Sequence, residues 1–215
     1  MAASLEKSAS AGAVGTPGTA KSARERILEV ATDLFYREGI RAIGVDTIVA
    51  RSRVAKMSLY RCFPSKDELV AAFLAAADQR YWAWWDGVVG RHPGAPREQL
   101  RALFRAVAKK TTSPDYRGCP FVNTATEFPD AAHPGRAIAL ANKRELRARL
   151  GRLAASLGAR DPDGLADQLF LLMDGAYSTG QMLAAAGPGK ALPDAADALI
   201  AAQLAPPAEV GGDRP

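Results

Sequence analysis

Residues 44–66 read Gly-Val-Asp-Thr-Ile-Val-Ala-Arg-Ser-Arg-Val-Ala-Lys-Met-Ser-Leu-Tyr-Arg-Cys-Phe-Pro-Ser-Lys. Two short helices fit this stretch. The first, about 45–52, places Val45, Ile48 and Val49 at offsets 0, 3 and 4, one face of a helix. The second, about 55–62, is too short to hold alone in water, so Leu59 and Phe63 must be buried against neighbouring helices. A turn of about three residues between them completes a helix-turn-helix pattern. From Arg51 to Lys66 the charged residues are Arg51, Arg53, Lys56, Arg61 and Lys66, with no acid among them. Five positive charges in sixteen residues equal the net charge of the whole chain, +5. Lys56, Met57, Ser58, Tyr60 and Arg61, on the exposed side of the second helix, combine cations, hydroxyls and an aromatic. Such a set suits phosphates and base edges. A merely basic, solvated helix face does not account for short helix, turn and cation run together.

The remainder of the chain reads as helices. Hydrophobic residues make up 48% of the 215 positions but aromatics only 7%, so alanine supplies much of the apolar share. Alanine is the best helix former, and β-branched runs are scarce. The fold class expected is all-α, with about nine helices: a three-helix head over 22–68, whose helix-turn-helix motif spans 44–63, and a helical domain over 69–205. Residues 1–21 and 206–215 lack the apolar content to offset ordering entropy and are expected to be mobile tails. No stretch approaches the roughly 18 apolar residues of a membrane span, and the N-terminus lacks the apolar core of a signal peptide. A cytoplasmic protein that does not contact the membrane is expected. Cys62 and Cys119 do not make a disulfide scaffold. With only His92 and His133 beside them, neither metal nor other cofactor is expected.

Boundaries follow from caps. Ser22-Ala-Arg-Glu25 is a capping box that opens helix 1, and Gly39 closes it. Ser65-Lys-Asp-Glu68 is a second box, opening helix 4, which carries Leu69, Val70, Phe73 and Leu74 and then Tyr81-Trp82-Ala-Trp84-Trp85. This helix joins the head to the rest and is the expected lever of regulation. Helix 5 is expected over about 97–112, and a short helix 6 from Pro120, which suits a first helical position. Helix 7, about 135–157, should face inward with Ile138, Ala141, Leu146, Leu150, Leu153 and Leu157, and Arg144, Arg147, Arg149 and Arg152 should form a solvated face. Helix 8, about 164–186, is apolar on more than one face and so needs more than one partner. Helix 9 is expected over about 194–204.

Leu59-Tyr60-x-x-Phe63-Pro64-Ser65-Lys66-Asp67-Glu68-Leu69, preceded by Val54-Ala55-Lys56, resembles the DNA-binding signature of the TetR family of bacterial transcriptional regulators. The upstream Phe35-x-x-x-Gly39 fits the same pattern. Arg117-Gly-Cys-Pro-Phe-Val-Asn-Thr-Ala-Thr-Glu127, followed by His133-Pro134, is similar to one branch of that family. Two positions depart from the usual signature: Arg53 stands where the family usually has the turn glycine, and Ala55 where it often has a Ser or Thr cap. Glycine tolerates positive φ and arginine does not, so a strained or reshaped turn is expected. A missing cap costs about 1 kcal/mol.

The resemblance implies a double-stranded DNA operator as partner and no enzymatic role. It implies that Lys56, Met57 and Tyr60 reach base edges in the major groove, and that Thr47, Ser58, Arg61 and Lys66 meet phosphates. The C-terminal domain is expected to form a homodimer through helices 8 and 9 and to hold a small-molecule effector in a mostly apolar pocket among helices 4 to 8. Trp82, Trp85, Phe104, Phe121, Phe128 and Tyr177 are its candidate lining, with Asn123 and Glu127 as polar points. The expected mode is repression relieved by a small apolar effector. An alternative effector route is a thiol sensor of oxidants or electrophiles at Cys119, which sits before Pro120 at the start of helix 6, where amides and dipole favour a thiolate. The competing reading of Cys119 is a small hydrophobe filling a gap. Two further readings are weaker. An enzyme using Cys119 as nucleophile has no base placed by a motif, and a module binding only proteins leaves the Arg51–Lys66 run without a use.

Overall fold

The computed structural model describes residues 21–204, and the expected tails lie outside it apart from Lys21. Among the described residues there are nine α-helices and no strand: α1 (Ala23–Glu38), α2 (Val45–Ser52), α3 (Lys56–Cys62), α4 (Lys66–Val89), α5 (Pro96–Thr111), α6 (Pro120–Glu127), α7 (Pro134–Ser156), α8 (Pro162–Leu183) and α9 (Leu192–Leu204). Two 3₁₀ turns, Ala184–Ala186 and Pro188–Ala191, link the last two.

The capping box at Ser22 is fully formed. Its hydroxyl accepts from the Glu25 N–H at 3.2 Å, and the Glu25 carboxylate accepts from the Ser22 N–H at 2.7 Å. At Ser65 only one half of the box is made, Glu68 N–H to the Ser65 hydroxyl at 3.1 Å. Ile27, Ala31, Leu34 and Phe35 of α1 form one buried stripe, against which Ile40, Ile43, Ile48, Leu59 and Phe63 close the head. Leu59 and Phe63 are thus buried, as the shortness of α3 requires. Beginning with Leu69, Val70 and Phe73 against the head, α4 continues for 24 residues, about 36 Å at 1.5 Å per residue. It runs into a body in which α7 packs on α4, α6 and α8, while α5, α8 and α9 pack on one another.

Three expectations for the body need correction. On α7, Ala141 is exposed, and the buried row is Gly135, Ala139, Asn142, Leu146, Leu150 and Ala154. The helix packs on α4, α6 and α8 together, so its inward face is wider than one leucine stripe and takes small residues at close approaches. Arg149 is no member of a solvated face. Its guanidinium lies 4.2 Å from the Trp82 ring centroid and pairs with Glu145 at 2.9 Å and with Asp86. Finally, α8 stops at Leu183, because Ala184 takes a positive φ of 46° and the chain turns into 3₁₀ geometry.

Candidate functional site

The turn between α2 and α3 is made by Arg53 in the left-handed region, φ 54° and ψ 41°. Ala55 then takes the extended N-cap conformation, with no side-chain bond to the helix. With Leu59 turned inward, Lys56, Met57, Tyr60 and Arg61 fall on the opposite face, and Met57 is 72% exposed and Tyr60 41%. Thr47 is exposed on α2. Ser58 is half-buried, its Oγ accepting from the Arg61 guanidinium at 2.9 Å.

The uninterrupted cation run is not five free charges. Lys56 pairs with Asp46 of α2 at 2.7 Å, which raises its pKa, and Arg51 pairs with Glu38 at 3.4 Å. Lys66 is half-buried, with its ammonium 6.0 Å from the Phe35 ring centroid. Burial holds its pKa below the usual lysine value. Arg53 and Arg61 are exposed and make no ion pair among the described residues.

A cavity of about 360 Å³ lies between head and body. Its walls come from α1 (Thr32, Tyr36), α4 (Phe73, Ala77, Arg80, Tyr81, Trp84), α5 (Lys110), the connection before α6 (Tyr116, Gly118, Cys119), α6 (Pro120, Phe121) and α8 (Tyr177). That size falls within the range of small-molecule sites. Tyr81 is the hub of its aromatic wall, 5.4 Å from Trp84 and 6.3 Å from Phe121 by ring centroids. The Tyr81 and Tyr177 hydroxyls are 3.4 Å apart, and the Tyr116 hydroxyl donates to the Tyr177 carbonyl at 3.3 Å. Burial raises the pKa of all three phenols and that of Tyr36. They are therefore neutral hydrogen-bonding groups at physiological pH.

Of the eight residues expected to line such a cavity, Phe121 and Tyr177 do so. Trp85 and Phe104 are buried core side chains. Trp82 lies under Arg149 and donates to Asp78 at 2.9 Å. Phe128 stacks on His133 with centroids 4.0 Å apart. The Asn123 side-chain amide donates to the Arg117 carbonyl at 3.0 Å. Glu127 faces the head: its carboxylate accepts from the Ile40 N–H at 3.2 Å and the Arg41 N–H at 2.7 Å. A second tie runs through Tyr36, whose hydroxyl accepts from the Arg117 N–H at 3.0 Å and donates to the Gly118 carbonyl at 3.3 Å. His133 is buried as the N-cap of α7, its Nδ1 accepting from the Gly135 N–H at 3.1 Å. Cys119 is the N-cap residue of α6, 8% exposed, and forms part of the cavity wall. Among the described residues no cluster of His, Cys, Asp or Glu is arranged to hold a metal, and no helix is long and apolar enough to cross a membrane.

The profile of the bacterial regulatory proteins of the tetR family matches residues 27–73, and that of the tetracyclin repressor-like C-terminal domain matches residues 96–195. SCO4454, a TetR-family transcriptional regulator from Streptomyces coelicolor, has the same fold with a TM-score of 0.80. It is 33% identical, over 84% of this chain and 95% of its own. The chain belongs to the TetR family of bacterial transcriptional regulators. A Streptomyces avermitilis protein (sav143) of TetR-regulator type is 36% identical over 85% of this chain and 98% of its own, with a TM-score of 0.76. The HTH-type transcriptional regulator YjdC of Escherichia coli (strain K12) is 24% identical over 155 residues, 72% of this chain and 81% of that protein.

This TetR-family member is therefore a DNA-binding transcriptional regulator, all-α, with an N-terminal helix-turn-helix head and a helical C-terminal domain. Its cavity departs from sequence expectation because helical spacing reports only that a side chain is buried. Tyr36, Tyr81, Trp84 and Tyr116 reach the cavity, and only the convergence of α1, α4, α5, α6 and α8 says which aromatics surround empty space.

Proposed function

We propose that the protein is a cytoplasmic, homodimeric repressor, released from a pseudo-palindromic operator by a small, mostly apolar effector in the cavity between head and body. The observation that carries this reading is the composition of the cavity wall, which joins α1 of the head to α4, α5, α6 and α8 of the body. An occupant touches Tyr36 and Phe73 at once. Adjusting Tyr36 disturbs its bonds to Arg117 and Gly118, and adjusting α6 disturbs the Glu127 carboxylate under the Ile40 and Arg41 amides. Both displacements change the angle of the head. A ligand shifts the DNA equilibrium by as much as its affinity differs between the two head positions, and DNA shifts ligand affinity by the same factor.

For the operator, Met57, Tyr60 and Lys56 read base edges, while Thr47, Ser58 and Arg61 meet phosphates. Lys66 makes its phosphate contact at the start of α4 after its ammonium swings away from Phe35. Dimerisation uses α8 and α9. Leu171, Met182 and Leu183 are 69%, 78% and 50% exposed, and Leu171, Gly175, Ser178 and Met182 follow one another at spacings of four, three and four along α8. Exposed apolar side chains at both ends of a row whose middle is small support its use as an interaction surface that a second copy can approach closely.

The test is selection of bound sites from genomic or random duplex DNA, then release from the selected site by a panel of small molecules. A pseudo-palindromic site and a ligand that lowers DNA affinity are expected. A ligand that fills the cavity and leaves DNA affinity unchanged refutes the release mechanism. Arg61→Ala should weaken binding to all sequences alike and flatten the salt dependence by about 0.9 log unit per log unit of salt, read by titration at several salt concentrations.

A further inference from the structure

The cavity carries a charge asymmetry that its aromatic walls conceal. Its lining includes two cations, Arg80 and Lys110, and not one carboxylate. Neither cation has an acidic partner within 4 Å among the described residues, whereas Arg101, Lys143, Arg147, Arg149 and Arg152 elsewhere in the body do. Arg80 stands one turn before Trp84 on α4, and the Lys110 ammonium lies 5.8 Å from the Trp84 ring centroid. The two thus flank one aromatic wall. Both residues are exposed, which places them at the mouth. The Lys110 ammonium is desolvated by surrounding protein even so, and its pKa is lowered. Asp174, whose charge is felt by Tyr81 and Tyr116, lies outside the lining and is held by Lys143. The phenols themselves stay protonated.

We propose that the effector is a small planar aromatic acid, its ring held among Tyr81, Trp84 and Phe121 and its anionic group at Arg80 and Lys110. The proposal rests on the reading of this cavity as the effector site. Aromatic walls alone decide little, since rings at centroid distances of 5–6 Å accept a neutral ring by stacking and a cation by its attraction to ring faces. The two unpaired cations decide the sign. A positively charged ligand meets uncompensated like charge, whereas an anion gains charge-assisted hydrogen bonds to an ammonium and a guanidinium. The low-dielectric aromatic wall beside them strengthens that attraction relative to open water. The ligand's anionic group also neutralises Lys110, which protein surroundings at present disfavour in its charged form.

Three probes of one shape separate the outcomes on the full-length protein: 1-naphthoate, the neutral 1-naphthamide and the cationic 1-naphthylmethylammonium. Binding is followed by calorimetry and by quenching of tryptophan fluorescence. Naphthoate should bind at least about tenfold more tightly than the amide, as a charge-assisted contact allows, and the cation most weakly. The preference should vanish in Arg80→Met/Lys110→Met and survive in Lys110→Arg. Equal binding of all three probes, no binding of naphthoate, or a preference unchanged in the double variant overturns the proposal. Ala77→Phe, checked for native helicity, fills the cavity. If it abolishes amide binding while the wild type shows no naphthoate preference, and the amide lowers the DNA affinity of the wild type alone, the cavity is the effector site and the ligand class is wrong. If naphthoate binds Ala77→Phe as it binds the wild type, the cavity reading itself fails.

Discussion

Arg53 holds the turn of the helix-turn-helix in a conformation that L-residues enter at a cost of about 1–2 kcal/mol. Glycine would remove that penalty and add about 0.5–1 kcal/mol of unfolded-state flexibility, so Arg53→Gly should stabilise the protein by roughly 0.5 kcal/mol. Ala55→Ser should add about 1 kcal/mol by supplying the missing acceptor at a position already in N-cap geometry. Chemical denaturation of each variant checks both signs, and a loss of stability in either would show the turn to be relaxed as it stands. These two residues were legible in sequence because glycine and cap positions obey local rules. Asp46 was not. It lies outside the cation run, and only the packing of α2 against α3 brings it to Lys56. In the operator complex proposed above, its carboxylate would compete with DNA for that ammonium and add repulsion toward phosphate. Asp46→Asn should therefore tighten binding to duplex DNA several-fold at low salt, an effect fading as salt screens it. Unaltered affinity at low salt would place Asp46 and Lys56 away from the duplex.

Among elements, helix existence was readable throughout, since caps and 3.6-residue periodicity are local. The ends of α8 were not, because its last turn is fixed by what it meets. At Gly180 a β-carbon would lie 2.6 Å from the Thr111 β-carbon and 2.7 Å from the Thr111 carbonyl oxygen, so α5 and α8 touch there backbone to backbone. Gly180→Ala must push the two helices apart and should cost about 1–3 kcal/mol, measured by thermal or denaturant unfolding. The same close approach draws Tyr177, one turn earlier on α8, up to Tyr81 and Tyr116. Widening the crossing should also weaken any cavity ligand. Contacts like these join residues 61 to 96 positions apart in the chain, and neither partner carries a sequence signature of the other. The same holds for Glu127, which has the residue type of a pocket contact yet serves as acceptor for two amides of the head.

At the scale of the whole molecule the question is how a seven-residue α3 yields useful operator affinity. One such helix presents four exposed side chains, too few for tight specific binding. Two heads held by one body convert the second binding event into an intramolecular one, and affinity rises with no new contact type. The holding surface proposed above is the outer row of α8. Gly175 has nothing within 4 Å of where its β-carbon would be, so that row is open along its middle, with Leu171 and Met182 at either end. A charged side chain at both ends would have to be desolvated twice over in a two-fold interface, and at the symmetry axis it would also meet its own copy. Leu171→Glu/Met182→Glu should therefore give a monomer at micromolar concentration by sedimentation or light scattering. Both positions are exposed in the protomer, so its helicity and its weak, salt-dependent affinity for non-specific DNA should remain. Specific operator affinity should fall by a hundredfold or more, within the roughly 10²–10⁴-fold that linkage of two sites contributes. A double variant that stays dimeric would move the interface off this row, and a monomer that keeps full operator affinity would remove the need for two heads.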